Sequence, residues 1–141
     1  MKTYQLLILL FLLSSCDSLI EDDGFLQEKW KVQSLANEKG HLKVPSNNHR
    51  DDAYILHFYN DSIYDMPTGN NSVSGKYHII SDGQIVVSDR LSTHVGGSSY
   101  QMNFDDQLFS IFDGIITYSY KKNKLIFRGE KGGEITFRRE K

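Results

Sequence analysis

From Glu28 onward, short runs rich in β-branched and aromatic residues alternate with clusters of Gly, Asn, Asp and Ser, the rhythm of strands and turns. In Trp30-Lys31-Val32-Gln33-Ser34-Leu35, Trp30 and Val32 share a face because side chains repeat every second residue, and Trp30 is expected as a core anchor. Tyr54 to Tyr59 puts Tyr54, Leu56 and Phe58 on one face, and Asn60-Asp61 turns it into a partner running from Ser62 to Met66. Val73 to Ile80 and Gln84 to Ser88 flank Asp82-Gly83, the strongest hairpin signal in the chain. Three further strands close the sequence, Ile115 to Lys121, Lys124 to Arg128 and Glu134 to Arg138. The period changes once: Phe104, Leu108, Ile111 and Phe112 fall at i, i+4, i+7 and i+8, predicting a helix over about Asn103 to Asp113. Asn103 is the expected N-cap, Asp105 and Asp106 suit the positive helix start, and Gly114 ends it.

This gives an α+β, mainly β chain: an antiparallel sheet of about eight strands packed on one helix. Between the first two strands, Ala36 to Asp52 carries Asn37, Gly40, Pro45 and Asn47-Asn48 and reads as a long loop, where binding residues often sit. No internal repeat is visible.

The N-terminus has a different pattern. Lys2 precedes an unbroken apolar run from Leu6 to Leu13, followed by Ser14 and Ser15, which reads as a signal peptide. The run is too short for a stable membrane span of roughly 20 residues. Leu13-Ser14-Ser15-Cys16 resembles the lipobox of bacterial lipoproteins, in which the cysteine takes a diacylglycerol, the bond before it is cut and the new amine is acylated. The expected organisation is a signal peptide over 1–15, lipidated Cys16 with an acidic tether over 16–27, and one domain over 28–141. Glu21-Asp22-Asp23 is similar to signals that send Bacteroidetes-type lipoproteins to the cell surface, with a plain solvated linker as the alternative. Asp17 would instead mean inner-membrane retention under the enterobacterial rule. The address is therefore the bacterial envelope, lipid-anchored and with the outer membrane favoured, either face being open.

Charge and composition narrow the chemistry. The 141 residues carry a net charge of −2, with both signs mixed along the chain, which argues against a nucleic-acid partner. One cysteine cannot form an internal disulfide. His41, His49, His57, His78 and His94 show no zinc-ligand spacing, so neither a metal nor a cofactor is expected. No Gly-x-Ser-x-Gly elbow is present, and Gly96-Gly97-Ser98-Ser99 lacks the Lys that completes a phosphate loop, so it reads as a flexible turn. Asp51-Asp52 reads as solvated loop. The chain has eight Tyr and eight Phe, which could present an aromatic surface but mostly suit packing.

The order of features resembles the META domain, the family of the heat-inducible lipoprotein of enteric bacteria linked with novobiocin resistance. Trp30 matches its opening strand, Phe58 the next, and Gly69-Asn70-Asn71-Ser72-Val73-Ser74-Gly75-Lys76-Tyr77 its Gly-Cys-Asn-x-x-x-Gly-x-Tyr turn. Ser92-Thr93 matches its Thr stretch and Phe137-Arg138 its ending. Trp30, Phe58, Gly69, Asn71, Gly75, Tyr77 and Thr93 are thus the motif residues. Asn70 replaces the usual cysteine and no second one follows Thr93, so the thiol pairing of other members is missing here. The resemblance implies a curved half-barrel around one helix and no established enzyme activity. A lipocalin-like barrel is the alternative fold, although Glu28-Lys29-Trp30 lacks the Gly of a lipocalin Gly-x-Trp. The resulting expectation is a monomeric, non-catalytic envelope lipoprotein that binds or supports envelope components, held to the membrane by Cys16 and with an envelope protein as its partner. The alternatives are a small-molecule carrier and an inhibitor of an envelope or host enzyme acting through the 36–52 loop.

Overall fold

A computed structural model describes residues 23–46, 50–60 and 62–141. Cys16 and the signal and tether residues up to 22 lie outside these. A short 3-10 turn, η1 (Asp23–Gln27), leads into β1 (Lys29–Asn37), and β2 (Gly40–Leu42) folds back on it. β3 (Ile55–Phe58), β4 (Ile63–Pro67), β5 (Ser72–Ser81) and β6 (Gln84–Ser92) follow. Helix α1 (Ser99–Ile111) precedes β7 (Gly114–Lys121), β8 (Lys124–Gly129) and β9 (Glu134–Arg139).

The strands form one antiparallel meander, β1-β3-β4-β5-β6-β7-β8-β9, and β1 then pairs β9 from Trp30↔Arg139 to Ala36↔Glu134. The curved sheet expected from the sequence is therefore carried on to a closed barrel. Closure removes the free edges that a half-barrel would leave. Bulges in β1 between Val32 and Ser34 and in β5 between Ser74 and Lys76 supply the bending that closure needs. The second requires glycine: a Cβ on Gly75 would lie 2.7 Å from the Ser88 carbonyl oxygen and 3.0 Å from the Tyr64 ring.

Inward positions fill the barrel. Trp30, Leu35, Leu56, Tyr64, Met66, Val73, Ile85, Ile116, Leu125, Phe127, Ile135 and Phe137 are all essentially inaccessible. Alternation along each strand dictates this, so strand positions matched the sequence pattern closely. The helix differs from its expected bounds. It begins at Ser99 with Ser98 as N-cap, whose hydroxyl accepts from Gln101 N at 3.2 Å, so Asn103 lies inside the helix. Phe104, Leu108, Phe109 and Ile111 face the barrel. The domain also starts earlier than expected. Residues 23–27, expected as tether, are part of the fold: Phe25 is fully buried, because its ring joins the aromatic core and its carbonyl accepts from Trp30 Nε1 at 2.7 Å.

Candidate functional site

The barrel has two distinct ends. At one, β1 runs into Asn37, whose amide donates to Gln107 of α1, and Gly129 at the end of β8 lies against Ile111. At the other, β1 leaves η1, and Arg139 N donates to Asn123 O in the β7–β8 turn at 3.0 Å.

At the α1 end a buried polar cluster is built around Asp105, which is only 1% exposed. Its Oδ1 accepts from the Tyr54 hydroxyl at 3.1 Å, and its Oδ2 accepts from Thr68 Oγ1 at 2.7 Å and Asn71 Nδ2 at 3.1 Å. A buried carboxylate is tolerable only when hydrogen bonds replace the lost water, and three donors do that here. Asn71 reaches further: its Oδ1 accepts from Val95 N and its Nδ2 also donates to Val95 O at 3.3 Å, fixing the segment that enters α1. Thr68 Oγ1 accepts from Asn71 N at 3.1 Å and Thr93 Oγ1 accepts from Ser72 N at 3.0 Å. Gly69 contributes its backbone beside the Tyr54 hydroxyl. Burial, reinforced by the Asp105 charge, pushes the Tyr54 phenol well above its ordinary range.

Tyr54 is also strained. Its φ is 63°, a left-handed conformation costly for a bulky residue. The conformation persists because every part of the residue is held: N donates to Pro67 O, O accepts from Val32 N, and the ring meets Phe104 edge-on at 5.4 Å.

The structure thus gathers Gly69, Asn71 and Thr93 at the α1 end. Trp30, Phe58 and Tyr77 belong to the η1 end, where Phe58 packs on Tyr77 at 5.0 Å and on Phe25 at 5.8 Å. Gly75 lies in the wall between them. Asn70, where the family pattern has cysteine, donates to Gly96 O at 3.1 Å, so a hydrogen bond joins the two segments in this chain. Asp105 corrects the sequence reading of it as helix-start charge, since the helix begins six residues earlier. The overlooked signal was Ser98-Ser99-Tyr100-Gln101, a capping-box pattern. It would have moved the helix start and put Asp105 on the apolar stripe.

Among the described residues, no three His, Cys, Asp or Glu side chains gather as a metal site, and no helix is long and apolar enough to cross a membrane. Among the described residues the clefts are open, and the one beside α1 holds about 250 Å³ between Leu35, Lys39, Gln107 and Gly133.

A closed, filled antiparallel barrel capped by one helix, with a buried cluster centred on Asp105 tying the helix down, defines the class of protein. The META domain family matches residues 23–141, and the chain belongs to that family. In fold it is similar to an NMR structure of a protein from Burkholderia xenovorans, at 16% identity and TM-score 0.61, covering 83% of this chain and 85% of that one. It is also similar to the crystal structure of a DUF4847 family protein from Bacteroides vulgatus ATCC 8482, at 17% identity and TM-score 0.53, covering 81% and 93%. No curated protein matches significantly.

Proposed function

We propose that this META domain is a non-catalytic module of an envelope lipoprotein, anchored through Cys16 and acting by binding or supporting other envelope components. The observation that carries this reading is the filled interior: aromatic and aliphatic side chains occupy the barrel, and the one buried carboxylate among the described residues is consumed by three hydrogen bonds. Such an interior favours a binding surface over a carrier cavity, which would need an enclosed apolar space. It also favours a binding role over catalysis: the serine–histidine contact beside the Asp105 cluster, Ser92 Oγ to His94 Nε2 at 3.3 Å, lies on open surface with the His94 side chain 70% exposed. The anchoring half of the proposal is supported by the lipobox-like Leu13-Ser14-Ser15-Cys16.

Crosslinking in intact cells tests the reading. A C-terminally tagged chain is compared with a Cys16→Ala variant by purification and mass spectrometry. The expected result is a reproducible envelope partner seen only with the lipidated form. Recovery of the same partners by both forms, or an unmodified Cys16, counts against it.

A further inference from the structure

The outer face of the barrel carries a row of cations that the register makes explicit. Lys31 of β1 is directly opposite Arg138 of β9, Arg138 is opposite Lys124 of β8, and Lys124 is opposite Lys121 of β7. Directly opposed residues project from the same face, and their inward-facing neighbours Val32, Phe137 and Leu125 are buried. Lys121, Lys124 and Arg138 are exposed and Lys31 is half-buried. Four cations therefore stand across about 14 Å of surface, three inter-strand spacings. Like charges directly opposite one another destabilise a sheet. None of the four makes an ion pair among the described residues, although the whole chain is net acidic. Lys29, two residues before Lys31 on β1, and Lys122, next to Lys121, are exposed as well. The nearby acids are Glu28, already paired with Arg139 at 3.4 Å, and Glu140, whose backbone N donates to Lys29 O. A shallow cleft of about 450 Å³ opens between Gln33, Lys121, Lys124 and Arg138.

The row's position gives it an occupant. Arg139 bridges Glu28, immediately after η1, to Lys122 and Asn123 in the β7–β8 turn, so the chain enters the barrel beside these cations. An anchor N-terminal to Asp23 would bring this end to the membrane before any other. We propose that the Lys31–Arg138–Lys124–Lys121 row docks on the phosphates of anionic lipid headgroups, laying the barrel against the surface with its α1 end turned away. This rests on the anchored reading above.

Vesicle co-sedimentation at low salt tests the docking without the anchor. The protein is the chain from residue 16 onward with Cys16→Ala, which retains every described element and carries no lipid. Each cation near an anionic leaflet is worth about a fivefold gain in partition. Vesicles containing one-third phosphatidylglycerol should therefore bind it at least ~10-fold better than pure phosphatidylcholine. The preference should fall at least ~5-fold in Lys121→Gln/Lys124→Gln, whose exposed sites leave folding intact by circular dichroism, and survive in Lys121→Arg/Lys124→Arg. Equal binding to both vesicles, or a preference unchanged in the Gln variant, overturns the proposal. Binding that appears only with Glu21→Gln/Asp22→Asn also overturns it, by showing that the chain's own acids occupy the row. Acylation of Cys16 is read separately from its peptide mass, so failure of the anchor and failure of the docking are distinct results.

Discussion

The two ends of the barrel are closed by different physics. At the α1 end the closure is directional, with one carboxylate holding three donors, Tyr54 just before β3 and Thr68 and Asn71 in the β4–β5 turn. At the η1 end it is a matter of area: Phe25 packs on Phe58, Tyr118 and Tyr120 at 5.8, 4.8 and 5.9 Å. Hydrogen-bond networks lose stability steeply when one member is removed, because its partners stay buried and unpaired. Aromatic packing tolerates changes that conserve volume. The α1 end should therefore be brittle to small chemical changes and the η1 end forgiving of them.

Denaturation by urea measures the contrast. Asp105→Ala strands the Tyr54, Thr68 and Asn71 donors and should cost about 3–5 kcal/mol. Asp105→Asn keeps the shape but replaces an acceptor oxygen by a donor, for an expected loss of about 2–3 kcal/mol. Gly75→Ala forces its Cβ onto the Ser88 carbonyl in the wall and should cost about 1–3 kcal/mol. Phe25→Leu, at the aromatic end, should cost only about 1–1.5 kcal/mol. A greater loss from Phe25→Leu than from Asp105→Asn would reverse the comparison. The smallest effect has the opposite sign. Tyr64 is buried and its hydroxyl has no hydrogen-bond partner among the described residues, so Tyr64→Phe should stabilise the fold by about 1 kcal/mol.

Tyr64 also gives a pH test. Burial raises its folded-state pKa above the unfolded value of 10.0, so its contribution is intact below pH 10 and lost as the pH climbs toward the folded value. Tyr64→Phe should remove part of the alkaline loss of stability while leaving the neutral-pH profile parallel to that of the parent.

All eight barrel strands were legible because each alternates and ends in turn residues, from Trp30-Lys31-Val32 to Glu134-Ile135-Thr136. Closure was not, since alternation says which face of a strand is buried and nothing about which strand lies beside it. β2 escaped because Gly40-His41-Leu42 is three residues inside a polar loop and owes its conformation to pairing with β1. Phe25 was hidden behind the acids that precede it. Asp105 was misplaced with the helix start, and no local signal announces that Tyr54, distant in sequence, donates its hydroxyl there. The strained backbone of Tyr54 is likewise a tertiary effect, imposed by bonds to Val32 and Pro67.

The seam between β1 and β9 has a consequence for the order in which the chain comes into being. On one side Trp30 pairs with nearby Leu56, but on the other its partner is Arg139, at the far end of the last strand. Pairings this distant in sequence form slowly, because the loop must close before any contact rewards it. Until β9 is in place the sheet is open, with β8 and β1 each lacking the neighbour that closes them. The barrel is therefore the last thing this meander makes: seven strands can be in register before the eighth turns them into an enclosure.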